Sequence, residues 1–227
     1  MKALLASGTQ SYRGFFLWIV AVLLAAGLIE GIGYGAEIVF VAMTLMLLSA
    51  TRLAHAAEGR STFLICAFAT MMASAAAYLT SSMIIDVGAM ALVLGVFCYV
   101  TWLIFLSVFS GTEVNTDTIF GAVCVYILIG IVCAVAYQLI ELVDSSAFTL
   151  TVSDGYQPVL NPAEAFFRTF IYFSFSTLTT VGFGDIVPVS SPARYVAILE
   201  AICGQIYLSV LVARLVGLHL TTAKGPR

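Results

Sequence analysis

Residues 179–185, Thr-Thr-Val-Gly-Phe-Gly-Asp, form the stretch of this sequence that is best suited to chemistry. At 181–184 each residue with a side chain is followed by a glycine. Because glycine adopts positive φ angles without steric cost, this alternation lets successive main-chain carbonyls turn toward one side. Oxygen ligands suit hard alkali and alkaline-earth cations rather than transition metals. The stretch therefore predicts a cation site made of backbone oxygens.

A short aromatic-rich helix must position this stretch. Asn161, Pro162 and Glu164 have the residue types of an N-cap, a first helical position and a third one. We predict that the helix continues to about Leu178, which makes it too short to cross a bilayer. The C-terminal end of such a half-helix carries partial negative charge and would stabilise a cation at mid-membrane.

The rest of the chain is strongly apolar. Hydrophobic residues make up 62% of the 227 positions and charged residues 9%, which excludes an ordinary soluble domain. A membrane-spanning helix needs about 20 mainly apolar residues. Six candidate spans meet this condition: 15–33, 36–55, 61–80, 83–109, 118–142 and 192–218. They form a four-plus-two arrangement, and the short helix and the 179–185 stretch lie between the last two.

Lysine and arginine set the expected orientation, since they are in excess in cytoplasmic loops. With the N-terminus inside, both termini are cytoplasmic, and only Arg168 and Arg194 lie outside. The expected cytoplasmic residues are Lys2, Arg13, Arg52, Arg60, Arg214, Lys224 and Arg227.

The 179–185 stretch resembles the selectivity filter of tetrameric potassium channels, with phenylalanine at 183 where many members carry tyrosine. The resemblance is strong over 118–218 and covers the first four helices only in outline. It is nearest to prokaryotic six-helix channels whose fourth helix lacks charge. The resemblance implies an all-α membrane fold with six transmembrane helices and a re-entrant pore helix. It divides the chain into a four-helix domain, 1–110, and a pore domain, 111–227.

The resemblance also implies the ion ligands. Potassium would bind the main-chain oxygens of Thr180, Val181, Gly182 and Phe183, as well as the Thr180 hydroxyl, and Gly184 completes the filter. Phe183 is expected to point away from the axis. The metal involved is the permeant ion, and no cofactor is expected.

Four further residues are expected to support the filter. Asp185 often bonds an aromatic residue of the pore helix in this family, and Tyr172 is at the matching position. Ser176 is found where some members carry a glutamate. Glu200 lies within a membrane span, where an ionisable group is costly and usually functional. It would brace the filter through Ser174, Ser176 or Arg168, or lie protonated in a helix contact.

The last helix is expected to line the cavity and the gate. Gly204 matches the hinge glycine of the family's inner helix, although a small residue for close helix packing is an equal alternative. From that register Gln205, Leu208, Val212 and Val216 fall on one stripe. The polar Gln205 suits a water-filled cavity, and the three aliphatic residues suit a constriction that closes by dewetting. Gating at the filter itself is the alternative.

These features predict a homotetrameric, potassium-selective channel of the cell membrane that conducts passively. The expected partners are potassium ions, the lipid bilayer and further copies of the chain, with no nucleic acid and no enzyme activity. A conventional voltage sensor is excluded because 83–109 contains no lysine or arginine. The alternatives are a weakly selective cation channel, a secondary transporter, a membrane enzyme or a non-conducting partner subunit. The intact filter, the single re-entrant segment and the lack of a polar cluster argue against the first three.

Overall fold

The computed structural model describes residues 12–28, 68–72, 80, 82–110, 115–152, 155–158 and 166–223. The predicted span at 36–55, most of the one at 61–80 and the predicted helix start at 161–164 lie outside these residues. The division at residue 110 stays a prediction.

The described chain is mostly helical. Residues 68–72 are also helical. The five longer helices are α1 (Tyr12–Leu28), α2 (Met83–Ser110), α3 (Thr116–Val143), α4 (Phe166–Leu178) and α5 (Ser191–Ala223). Within the described residues three helices, α2, α3 and the 191–217 part of α5, are long and apolar enough to cross a membrane. They match three of the predicted spans and indicate a multi-pass membrane protein.

Helix α3 has clear polar boundaries. At its start the Asn115 side chain accepts hydrogen bonds from the Thr118 amide at 2.8 Å and the Thr118 hydroxyl at 3.0 Å. At its end the Asp144 carboxylate accepts bonds from the amide and hydroxyl of Ser146. These bonds favour the charged form and lower the pKa of Asp144. The acidic group beyond the helix therefore stays ionised at neutral pH.

A small antiparallel sheet follows α3. Its strands are β1 (Phe148–Val152), β2 (Gly155–Pro158) and β3 (Ile186–Pro188), in the order β2-β1-β3. The register pairs Leu150 with Ile186, so β1 joins the loop after α3 to the segment that follows residues 179–185. Ser, Thr, Asp, Gly and Pro are frequent in 142–161 and predict an extracellular loop, whereas the structure pairs part of this stretch as strands. The physical reason for this difference is the Thr- and Val-containing stretch of β1, whose residue types favour an extended strand.

Helix α3 is the centre of the packing. One buried apolar cluster joins it to α1 and α2 through residues such as Ile19, Val100 and Leu128. A second cluster joins it to α4 and β1, where the Tyr137 ring contacts Phe148 and Phe173 edge-on. Edge-to-face aromatic pairs are stabilising beyond the apolar area that they bury. Helix α4 is therefore packed closely against α3 and β1.

The buried Glu141 connects the sheet to α3. Its Oε2 accepts a hydrogen bond from the Phe148 amide at 3.0 Å. The Ala147 carbonyl then accepts bonds from the amides of Val189, at 2.7 Å, and Ser190, at 3.2 Å. The chain that follows β3 is thus connected to the segment at the end of α3.

Candidate cation site

Residues 179–185 lie between the end of α4 and the start of β3. Positive φ angles occur at alternate residues: 60° at Thr180, 57° at Gly182 and 78° at Gly184. The two glycines adopt this conformation freely. Thr180 is β-branched, and a residue of that kind at positive φ costs on the order of 1–3 kcal/mol. The surrounding contacts must therefore maintain the alternation.

Ser176 provides those contacts. Its carbonyl oxygen accepts hydrogen bonds from the amides of Val181, at 2.9 Å, and Gly182, at 3.2 Å. Its hydroxyl accepts a bond from the Phe183 amide at 3.4 Å. One residue in the last turn of α4 thus binds three consecutive amides of the 179–185 stretch.

The direction of the carbonyls follows from these amides. The peptide bonds of the described residues are all trans, and in a trans peptide the C=O points opposite to the next N–H. Because the three amides point toward Ser176, the carbonyls of Thr180, Val181 and Gly182 point away from α4. All six residues 180–185 are otherwise uncovered in the single chain, with Val181 and Phe183 more than half exposed. The stretch therefore presents a row of carbonyl oxygens on its open side.

Asp185 and Tyr172 meet beside this row. The Tyr172 hydroxyl donates a 2.8 Å hydrogen bond to Asp185 Oδ2. The Tyr172 ring also stacks on Phe183, with 5.8 Å between ring centroids and 10° between planes. The Asp185 carboxylate in addition accepts a bond from the Ile186 amide. The structure thus connects α4 to the C-terminal end of the stretch through a side chain on each.

Tyr172→Phe is expected to loosen the C-terminal end of the 179–185 stretch while leaving the ring stack in place. The substitution removes only the hydroxyl that binds Asp185, and a bond of this kind contributes about 0.5–3 kcal/mol. Amide hydrogen exchange of residues 181–186, followed by mass spectrometry, should rise several-fold. Tyr195→Phe, which alters an exposed tyrosine of α5, is the matched control. Equal exchange in the two variants would show that the bond does not restrain the stretch.

Gly204 of α5 lies against the end of α4. A Cβ built on Gly204 would lie 2.7 Å from the Leu178 carbonyl oxygen and 2.8 Å from Leu178 Cδ1. The same carbonyl accepts a 3.3 Å hydrogen bond from the Tyr126 hydroxyl of α3. This close approach gives the small-residue alternative a physical basis, and the hinge stays a prediction.

Glu200 lies one turn before Gly204 and is 2% exposed. Its carboxyl group is hydrogen-bonded to the Ser174 hydroxyl of α4 and, at 2.5 Å, to the Tyr137 hydroxyl of α3. Of the predicted partners the structure therefore places Ser174 at Glu200, while the Arg168 side chain lies outside the described part. Tyr137 was not predicted. A tyrosine inside an apolar span is the signal that would have found it, because its hydroxyl needs a buried partner.

The predicted gate stripe lies on an uncovered face of α5. Its four residues, Gln205, Leu208, Val212 and Val216, are all exposed in the single chain. Among the side chains that the structure describes, no group of three or more His, Cys, Asp and Glu residues could hold a metal ion. The backbone oxygens of 180–182 are thus the ligand set that the geometry offers.

Residues 141–218 match the family model described as Ion channel. The matched region contains α4, the 179–185 stretch and α5 up to residue 218, and it is about a third of the chain. The match supports an ion channel family for the protein and passive ion conduction through this region. Comparisons with curated proteins and with solved structures find no match.

Proposed function

We propose that the protein is a homotetrameric, potassium-selective channel. The observation that carries this proposal is the row of carbonyls at Thr180, Val181 and Gly182, fixed by three amides that all bind Ser176. Four such rows around an axis would replace the hydration shell of an ion with carbonyl oxygens. Potassium is the proposed ion because the stretch resembles potassium filters residue by residue, including the Thr180 hydroxyl as an added ligand. The potassium ion is the cargo, and the proposal includes neither cofactor nor enzyme activity.

The uncovered surface of the pore region supports assembly. In α5, 17% of the most apolar 18-residue window is buried inside the chain, compared with 50% in α3. An open groove of about 300 Å³ also lies between α4 and the 179–185 stretch, bordered by Ile171, Phe175 and Val181. One chain supplies one row of carbonyls. A pore that is surrounded by such rows therefore requires several copies of the chain, arranged with cyclic symmetry. We assign these surfaces to contacts between four subunits.

In this assembly α4 is the re-entrant pore helix and α5 the inner helix. The exposed stripe from Gln205 to Val216 then lines the cavity and its exit. The topology has six spans, with both termini on the cytoplasmic side, in the cell membrane. Helix α2, the fourth span, has one acidic residue and no basic residue, so gating by a conventional voltage sensor is not part of the proposal.

Potassium flux from purified protein in liposomes tests the proposal. We expect a reversal potential that follows the potassium gradient and is insensitive to a sodium gradient of the same size. The oligomer mass in lipid nanodiscs should equal four chains. Matching sodium and potassium permeabilities would contradict the selectivity. A tetramer that conducts neither ion would favour the non-conducting subunit.

A further inference from the structure

Three helices meet at the buried carboxyl group of Glu200. Helix α3 contributes the hydroxyl of Tyr137, which donates a hydrogen bond to the carboxyl group. Helix α4 contributes the hydroxyl of Ser174. Ser174 and Tyr137 are both fully buried. The cluster is therefore closed to bulk solvent, and its polar atoms need hydrogen-bond partners inside the protein.

The Ser174 hydroxyl has two partners that normally accept. Its oxygen lies 2.7 Å from the Gly130 carbonyl oxygen and also contacts Glu200 Oε1. A serine hydroxyl has one proton to donate and lone pairs with which to accept. The one serine proton can serve only one of these two contacts, and when it is assigned to the Gly130 carbonyl, which can only accept, the contact with Glu200 is left for a second proton to fill. The contact between Ser174 Oγ and Glu200 Oε1 then needs a proton from the glutamate.

The other groups around Glu200 also favour a protonated carboxyl group. Tyr137 donates to the carboxyl group, and neither Tyr137 nor Ser174 carries a positive charge. Among the described side chains, those that hydrogen-bond Glu200 are therefore not basic. A buried carboxylate without a cationic partner is strongly disfavoured in an apolar interior. A protonated carboxyl group is neutral, so it needs no cationic partner. One of its oxygens can donate a hydrogen bond while the other accepts one.

We propose that Glu200 carries a proton on Oε1, donates it to Ser174 Oγ, and so acts as a positioning residue that fixes α4 to α5. The Oε2 atom of Glu200 accepts a hydrogen bond from the Tyr137 hydroxyl. The Ser174 hydroxyl in turn donates its proton to the Gly130 carbonyl. Ser174 lies two residues before Ser176, which binds the three amides of the 179–185 stretch. The neutral carboxyl group therefore maintains the orientation of the carbonyl row without touching an ion. The effect on conduction rests on the proposed function, whereas the proton assignment does not.

Infrared difference spectroscopy of the full-length protein in lipid tests the proton directly. The spectrum of wild type minus that of Glu200→Gln should contain the C=O stretching band of a protonated carboxylic acid, shifted in deuterium oxide. Subtraction removes the contribution of other buried carboxyl groups such as Glu141. A difference spectrum with only carboxylate bands would overturn the proposal. This measurement gives its answer even if the channel proves silent or permeable to sodium.

Flux measurements test the positioning role. Glutamine can donate from Nε2 to Ser174 and accept from Tyr137 at Oε1, so Glu200→Gln should conduct within about threefold of wild type. Glu200→Leu leaves both hydroxyls without their partner and should reduce flux by about tenfold or more. If Glu200→Leu does not assemble, Ser174→Ala serves instead and should show a similar loss. Equal losses in Glu200→Gln and Glu200→Leu, or no loss in any variant, would refute the positioning role.

Discussion

Gly182→Ala is expected to abolish ion flux. Gly182 has a φ of 57°, and an L-residue in this conformation costs roughly 1–2 kcal/mol, which sums to about 4–8 kcal/mol over the four subunits of the proposed tetramer. Rotation of the peptide planes on either side would relieve the strain and turn carbonyl oxygens away from the axis. We expect potassium flux from liposomes to fall at least about a hundredfold, since 1.4 kcal/mol corresponds to a factor of ten.

The control for this variant is Gly95→Ala. A Cβ at Gly95 in α2 meets nothing within 4 Å, and its φ is not in the positive range. The control should conduct like wild type, and both variants should yield tetramers of wild-type mass. Wild-type flux through an assembled Gly182→Ala tetramer would argue against the carbonyl row as the ion path.

Gly204→Ala has the second largest expected effect. The added methyl group would lie 2.7 Å from the Leu178 backbone oxygen, and backbone cannot move aside as a flexible side chain does. Overpacking of this kind costs typically about 1–3 kcal/mol per subunit, against a helix-propensity gain of about 1 kcal/mol. We expect a lower unfolding temperature of the tetramer and a reduced flux, because α4 must move away from α5.

This variant also separates the two interpretations of Gly204. A hinge that only bends during opening predicts a changed open probability and an unchanged unfolding temperature. Close packing predicts a loss in both flux and unfolding temperature. Gly217→Ala in the same helix, where a Cβ meets nothing within 4 Å, should be as stable as wild type or slightly more stable. An equal unfolding temperature for the two variants would leave the hinge as the better explanation.

The local chemistry of the site could be predicted from the sequence. Alternating glycines predicted the positive φ angles at Gly182 and Gly184, because only backbone sterics are involved. The apolar lengths predicted α2 and α3 to within two residues at each end. These features depend on residues that are close together in the chain.

Contacts between distant segments could not be predicted in the same way. Glu200 had three candidate partners by sequence, and the buried pair with Tyr137 depends on how α3 and α5 pack across 63 positions. Ser176 accepts from two of the three amides through its carbonyl, which no residue type reveals, and from the third through its hydroxyl. The strand pairing of β1 with β3 is likewise non-local, and propensity is a weak guide to it.

The sheet restricts the number of residues that can lie between α4 and β3. Residues 179–185 begin at the fixed end of α4 and finish at β3, whose pairing with β1 sets the position of Ile186. The stretch therefore spans a set distance between two anchors. An inserted or deleted residue would break either the register of the sheet or the bonds to Ser176, whereas many substitutions preserve both. We therefore expect this part of the molecule to tolerate substitutions of side chains but not a change in the number of residues between the anchors.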